Sequence, residues 1–300
     1  MNRCTSNIAL ADHFTNMLHT LGALLVLTSA LSNFTVTPLG KHDLTGAAQL
    51  NVVQLATGKT LFVTQFSAFG SSGLSYLAKP EKALAAFDSA DFESLVPTVD
   101  LLWPNSAIKV PEAILPNAIL VADGFLVPQK DDGGIYLIQI DAELKVKNSV
   151  CLTKVKSGFF YHYAEFVDVD GDGLLDIVTA RAEKGIFESG AELLWLKNPG
   201  TVSGAWTETV VTAGPDVMFR IHELDGNPKT LDIVAAQFFS SELKAYFIDR
   251  SSSQVVQSIT IDENVGAAYD LHFVDVNADG KLDLLVSNHG IFNTTCLTLT

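Results

Sequence analysis

Four aspartates, Asp168, Asp170, Asp172 and Asp176, fall within nine residues of the stretch 166-FVDVDGDGLLDIVTA-180. Carboxylates this close repel one another, and the cluster lowers stability unless a cation sits among them. Calcium, a hard cation that takes oxygen ligands from alternate positions of a short loop, is the first candidate. The pattern recurs at 273-FVDVNADGKLDLLVS-287 with Asp275, Asn277, Asp279 and Asp283. Gly173 and Gly280 hold the sixth place, where a sharp turn lets the alternate side chains converge. The seventh place offers a backbone carbonyl from Leu174 or Lys281, and the ninth offers Asp176 or Asp283. An EF-hand loop would end in glutamate at the twelfth place; here Thr179 and Val286 stand there, and the chain continues as IVTA and LLVS. Those β-branched and aliphatic runs read as strands, so each loop joins two strands. A weaker third loop, 223-ELDGNPKTLD-232, keeps Glu223, Asp225, Asn227 and Asp232 but has Pro228 for the glycine and one extra residue.

The elements that position these loops form a repeat. DIVTA at Asp176 returns as DIVAA at Asp232 and DLLVS at Asp283, with looser copies ILVAD at Ile119 and LFVTQ at Leu61. Each copy has a strand before it, among them LNVVQL at 50–55, AEFVDV at 164–169, MFRIHEL at 218–224 and LHFVDV at 271–276. A Gly/Ser/Asp-rich turn and a further strand follow it, and WTETVV at 206–211 reads as a fourth. Four strands per unit of roughly 50–60 residues, without helices in most units, predict an all-β fold, a β-propeller of four-stranded blades. Five units are countable, at about 45–78, 105–141, 160–211, 218–260 and 268–300. Between the first two, 80-PEKALAAFDSADFESL-95 reads as a short inserted helix, with Pro80 at its start. The fifth unit lacks an outer strand. Either 33-NFTVTPL-39 supplies it and closes the ring, or the chain is part of a longer propeller.

Composition limits the function. A net charge of −15 argues against nucleic-acid binding, which rewards lysine and arginine. With 48% apolar residues in 300, a large core is available. At the N-terminus, 21-LGALLVLTSALS-32 resembles the apolar region of a signal peptide cleaved after small residues, which predicts a leader over 1–32 and a secreted protein. An uncleaved membrane anchor or a structured segment are the alternatives. The sequons at Asn33 and Asn293 fit export. If the leader is removed, Cys151 and Cys296 remain and could pair.

The runs DVDGDGLLDIV and DVNADGKLDLLV resemble the FG-GAP/VCBS class of calcium-binding propeller repeats, related to those of integrin α-subunit heads. ELLWLKNPG followed by Trp206 resembles a blade segment of secreted propellers of that class. The resemblance is specific over about 160–290 and diffuse over 45–160. It implies a propeller, calcium in the inter-strand loops and an extracytoplasmic place. The implied ligands are Asp168, Asp170, Asp172 and Asp176, then Asp275, Asn277, Asp279 and Asp283. The chain has Phe69-Gly70 but no Gly-Ala-Pro partner downstream, which departs from the integrin pattern.

Catalytic groups are less legible. His162, His222 and His272 each precede a loop on or beside a first strand, where three histidines could meet on zinc. Their distances to the following strand start are 14, 10 and 11 residues, so they do not share one position. Tyr163 beside His162, with Tyr161 and Glu165, makes the densest acid–base set. The hydrolase, zincin and nucleotide-binding motifs are absent from the sequence. Trp103, Trp195 and Trp206 read as inter-blade packing before they read as carbohydrate platforms. The expectation is therefore a secreted calcium-binding scaffold for an extracellular protein or carbohydrate. A sugar-active lyase or dehydratase with a His/Tyr or metal site in the channel is the alternative.

Overall fold

The computed structural model describes residues 3–4, 44–67, 70, 72–83, 92–127, 129–154, 158–184, 189–289 and 295–298. The sequons at Asn33 and Asn293, the apolar run 21–32 and the stretch 33–39 lie outside them. Among the described residues no helix is long and apolar enough to cross a membrane.

Strands build five four-stranded antiparallel sheets. β1 (Arg3–Cys4) belongs to the last of them. The first sheet is β2 (Ala47–Leu55), β3 (Gly58–Gln65), β4 (Gly73–Ala78) and, after the single-turn helix α1 (Pro80–Ala83), β5 (Glu93–Leu95). The second is β6 (Pro104–Lys109), β7 (Ala118–Asp123), β8 (Ile135–Ile140) and β9 (Val146–Cys151). The third is β10 (Phe160–Val167), β11 (Asp176–Lys184), β12 (Ser189–Lys197) and β13 (Thr207–Ala213). The fourth is β14 (Met218–Ile221), β15 (Thr230–Gln237), β16 (Glu242–Asp249) and β17 (Gln254–Asp262). The fifth is β18 (Ala268–Val274), β19 (Asp283–Asn288) and β20 (Thr295–Thr298).

The pattern of apolar residues explains this layering. Second strands such as AILVAD in β7 and TLDIVAAQ in β15 are buried along their whole length, because neighbouring sheets cover both faces. The outer strand β17, QVVQSITID, is mostly exposed. Four hydrophobic clusters each join consecutive sheets. Phe62 and Leu74 meet Ile119 and Ile138; Leu120 and Leu137 meet Ile177 and Leu194; Val178 and Leu193 meet Phe219 and Ile233; Val234 and Phe247 meet Leu271 and Leu284. First strands of successive sheets lie side by side, β2 by β6, β6 by β10, β10 by β14 and β14 by β18. Sheets stacked face to face in sequence, with their first strands innermost, are the blades of a β-propeller. Among the described residues no such cluster joins the first and fifth sheets, and Leu50 and Val52 of β2 are 53% and 60% exposed.

Three details differ from the sequence expectation. The outer strand of the fifth sheet comes from Arg3–Cys4, within the stretch 1–32 read above as a leader, paired with β20 (Arg3 opposite Leu297, Cys4 opposite Cys296). The helix expected over 80–95 has only Pro80–Ala83 among the described residues, and Glu93–Leu95 is instead the fourth strand of its sheet. Tyr76 explains that change, because its ring packs in the core while its hydroxyl donates to Glu93 at 2.9 Å, tying β5 to β4. Cys151 is a free thiol donating to the Thr153 carbonyl at 3.3 Å, so the pairing with Cys296 is not made.

Candidate metal loops and channel groups

All three acidic loops connect the first strand of a blade to its second, and each folds as a ladder of side-chain-to-backbone hydrogen bonds. In the loop of 168–176, Asp168 accepts from Gly171 at 2.7 Å and Gly173 at 2.9 Å, Asp170 from Asp172 at 3.3 Å, and Asp172 from Leu174 at 2.9 Å. In the loop of 275–283, Asp275 accepts from Asp279 at 3.1 Å and Gly280 at 2.8 Å, Asn277 from Asp279 at 3.0 Å, and Asp279 from Lys281 at 2.9 Å. The degraded loop keeps the pattern, with Glu223 accepting from Gly226 at 2.7 Å, Asp225 from Asn227 at 2.9 Å and Asn227 from Lys229 at 3.2 Å. Asx turns of this kind pull alternate side chains inward. Gly173 and Gly280 have φ of 86° and 82°, the left-handed region that glycine enters without strain.

The last aspartate of each loop is buried on the second strand, as its first residue in Asp176 and Asp283 and its third in Asp232. Asp176, Asp232 and Asp283 each accept the N–H of the loop's second residue, Val169 at 3.2 Å, Leu224 at 2.9 Å and Val276 at 3.0 Å. The second oxygen of Asp176 takes the Asn198 N–H at 2.8 Å. In Asp232 and Asp283 that oxygen, Oδ1, is buried with no partner. A buried carboxylate oxygen without a donor is expensive. Asp168, Asp170 and Asp176 bring one oxygen each to within 4.8 Å of one another, and so do Glu223, Asp225 and Asp232. Only at Asp232 does an orphaned oxygen belong to a convergent acid cluster; Asp283 has the orphan without such a cluster among the described residues, and the cluster of Asp176 has no orphan. An orphaned oxygen among convergent acids fits a hard cation taking oxygen ligands. When bound, calcium would supply the positive charge these groups otherwise lack. Part of that charge is already present at 168–176, because the ammonium of Lys197 contacts Asp170 and lies 3.2 Å from Asp172. The Leu174 hydrogen bond first, then Lys197, hold the Asp172 carboxyl below its usual range. Arg250 of the fourth blade donates to the Asp168 carbonyl.

The three histidines do not converge on zinc. His162 is buried on β10, its Nε2 3.1 Å from the hydroxyl of Tyr269 on β18, and burial pushes its pKa down to about 4. His222 stacks on Phe273 with centroids 4.2 Å apart. His272 lies 3.3 Å from Asp270 with its side chain 62% exposed. Neither convergent acid cluster among the described residues includes a histidine. The physical reason is register: each histidine is at a different distance from its loop and so meets a different neighbour.

Tyr163 and His272 do join one network across the first strands. The Tyr163 hydroxyl donates to Glu165 at 2.7 Å, and Glu165 accepts the Ile221 N–H at 3.2 Å. Arg220 lies over the Tyr163 ring at 4.7 Å and donates to Asp270 at 2.7 Å, which in turn faces His272. Burial raises the Glu165 carboxyl and the Tyr163 hydroxyl, so the phenol stays protonated.

Other charged groups carried no motif in the sequence. Asp123 accepts from Leu102 at 2.9 Å and Trp103 at 2.8 Å; Asp216 accepts from Phe238 and Phe239, both at 2.8 Å. Burial outweighs these donors and pushes both carboxyls up to about 6. Arg181, buried on β11, pairs with Glu192 at 2.6 Å and donates to the Tyr161 hydroxyl at 3.2 Å. The one available signal was an ionisable residue interrupting or bounding an apolar strand. Trp103, Trp195 and Trp206 are all buried, in line with packing.

The fold defines the chain as a β-propeller. No family model matches it, and no curated protein matches it. Solved structures resemble it at low identity. The Dos1 propeller is 9% identical with a TM-score of 0.47, over 84% of this chain and 58% of that one. A calcium-binding protein, regucalcin from Agrobacterium tumefaciens, is 10% identical with a TM-score of 0.45, over 86% and 92%. A polysaccharide lyase, ulvan lyase, is 10% identical with a TM-score of 0.45, over 84% and 64%. The chain thus spans less than two thirds of the Dos1 and ulvan lyase chains it resembles.

Proposed function

We propose that this is a secreted calcium-binding propeller of the FG-GAP/VCBS kind, an interaction scaffold for an extracellular protein or carbohydrate, with calcium structural in the inter-strand loops. The observation that carries it is the buried, unpartnered Oδ1 of Asp232, set in a cluster with Glu223 and Asp225 in a loop that repeats the geometry of the other two. The ligand set comes from one short segment per blade and ties a first strand to a second, a place for a stabilising ion. Calcium bound to the folded state alone raises the unfolding midpoint by linkage. Thermal unfolding of the chain stripped of metal, then with calcium, then with excess chelator, tests this. A reversible rise in midpoint is expected, partly lost in Asp172→Ala and in Asp279→Ala. An unchanged midpoint in a folded, stripped sample would refute it.

A second reading has its own support. The Tyr163–Glu165–Arg220–Asp270–His272 network gathers acid–base groups in the channel, as a sugar-active lyase or dehydratase requires. Its members are paired mainly with each other, which favours the scaffold reading. Release of unsaturated uronate from acidic polysaccharides, followed by absorbance and abolished by Arg220→Ala, would favour the enzyme.

A further inference from the structure

The end of the propeller away from the acidic loops has a chemistry of its own. Antiparallel pairing puts the start of each first strand beside the end of its second strand, and the acidic loops lie at the opposite end, about 20 Å away for strands of this length. At this end aromatic rings from all five blades form a chain. Phe66, just after β3, stacks on Trp103, just before β6, with centroids 4.2 Å apart; Trp103 stacks on Phe125 at 4.8 Å, and Phe125 meets Phe160 edge-on at 5.8 Å. His162 continues the chain to Tyr269, at 5.2 Å, and Tyr269 meets Phe238 at 6.5 Å. His162 and Tyr269 sit on blades three and five, which are not neighbours, so their contact crosses the axis.

Two features of this end bear on what it could hold. His162 is 3% exposed, and its Nδ1 has no hydrogen-bond partner, a polar atom that native proteins rarely leave unsatisfied. Phe66, Phe125, Phe238 and Tyr269 remain half-buried. The backbone that carries Trp103 and Phe238 is held by the buried carboxylates of Asp123 and Asp216, so the rings are set in place before a ligand arrives.

We propose that this end binds a neutral carbohydrate. The half-buried rings of Phe66, Phe125 and Phe238 would pack against the C–H face of a sugar ring, while the Tyr269 hydroxyl, held by the buried His162, and the exposed His289 would take its hydroxyls. This rests on the scaffold reading above and names its ligand class. Aromatic walls with polar tips suit a ring that is apolar on one face and hydroxylated at its edge. The net charge of −15 disfavours a polyanionic glycan.

The test is an array of neutral and uronate-bearing glycans probed with the full, calcium-loaded chain, followed by calorimetric titration with the neutral oligosaccharide that is retained. Retention of a neutral glycan is expected, with at least a tenfold loss of affinity in Phe238→Ala and in Tyr269→Phe. The same variants should keep the calcium-dependent thermal shift, which shows that they fold. No neutral glycan retained, or affinity unchanged in both variants, overturns the proposal. A calcium shift without sugar binding removes this inference alone; loss of both removes the scaffold reading with it.

Discussion

The ammonium of Lys197, at the end of β12, lies 3.2 Å from the carboxylate of Asp172 and also contacts Asp170. The third blade's acidic loop therefore carries an internal cation beside the place where calcium would bind. The third strand of the same blade supplies it, two residues beyond Trp195, over whose ring the ammonium also sits at 5.6 Å.

Lys197→Met should separate the two cations. Without calcium, the variant leaves Asp170 and Asp172 uncompensated, and its unfolding midpoint should fall below that of the parent. With calcium, its midpoint should rise further than the parent's, and at lower calcium concentration, because the ion no longer competes with the ammonium. A calcium titration of the thermal midpoint reads both effects. Identical curves for the two proteins would show that Lys197 does not compete with the ion.

Ala278 is the fourth residue of its loop, with φ of 59°, where the other loops have Gly171 and Gly226 at 75° and 74°. A residue with a Cβ is strained there. Ala278→Gly should relieve that strain and stabilise the protein by about 1 kcal/mol. A denaturant midpoint that falls in the variant would mean the lost chain stiffness outweighs the strain.

Asp216→Ala strips the acceptors from the Phe238 and Phe239 N–H groups. Buried donors left unsatisfied cost about 1–3 kcal/mol each. A loss of at least 2 kcal/mol in equilibrium unfolding is expected. A loss below 0.5 kcal/mol would show that water replaces the carboxylate.

Stability should depend on pH between about 4 and 6.5, with opposing contributions. Asp123 and Asp216 titrate near 6 when folded, above the unfolded value near 3.9, so the folded state holds their protons and each contribution falls as pH rises through this window. His162 titrates near 4 when folded, below the unfolded value near 6.5, so its contribution is lost as pH falls. Replacing the imidazole in His162→Phe should therefore make the protein gain more stability, or lose less, on going from pH 6.5 to 4.5 than the parent does. Denaturant midpoints at saturating calcium across that range check the sign. A smaller gain in the variant contradicts the burial of a neutral His162.

Much of the fold was legible in the sequence because its signals are local. Period-two alternation and unbroken runs such as ILVAD and DIVAA mark second strands that neighbours cover on both faces. The nine-residue acidic loops close on themselves through hydrogen bonds spanning two to seven positions, so the grouping of Asp168, Asp170 and Asp176 needed little more than spacing. Only the tertiary structure decided which distant side chains meet, within a blade or across blades. Strand register and twist bring Lys197 to Asp172, Arg220 to Asp270, Arg250 to the Asp168 carbonyl and His162 to Tyr269, pairs separated by 25 to 107 residues with no periodic signature. The same long-range packing placed Arg3–Cys4 beside β20, turned Glu93–Leu95 into a strand, and gathered the aromatic rings at one end of the axis. Sequence sets which face of each strand is apolar; the stacking of whole sheets sets which side chains those faces present to one another.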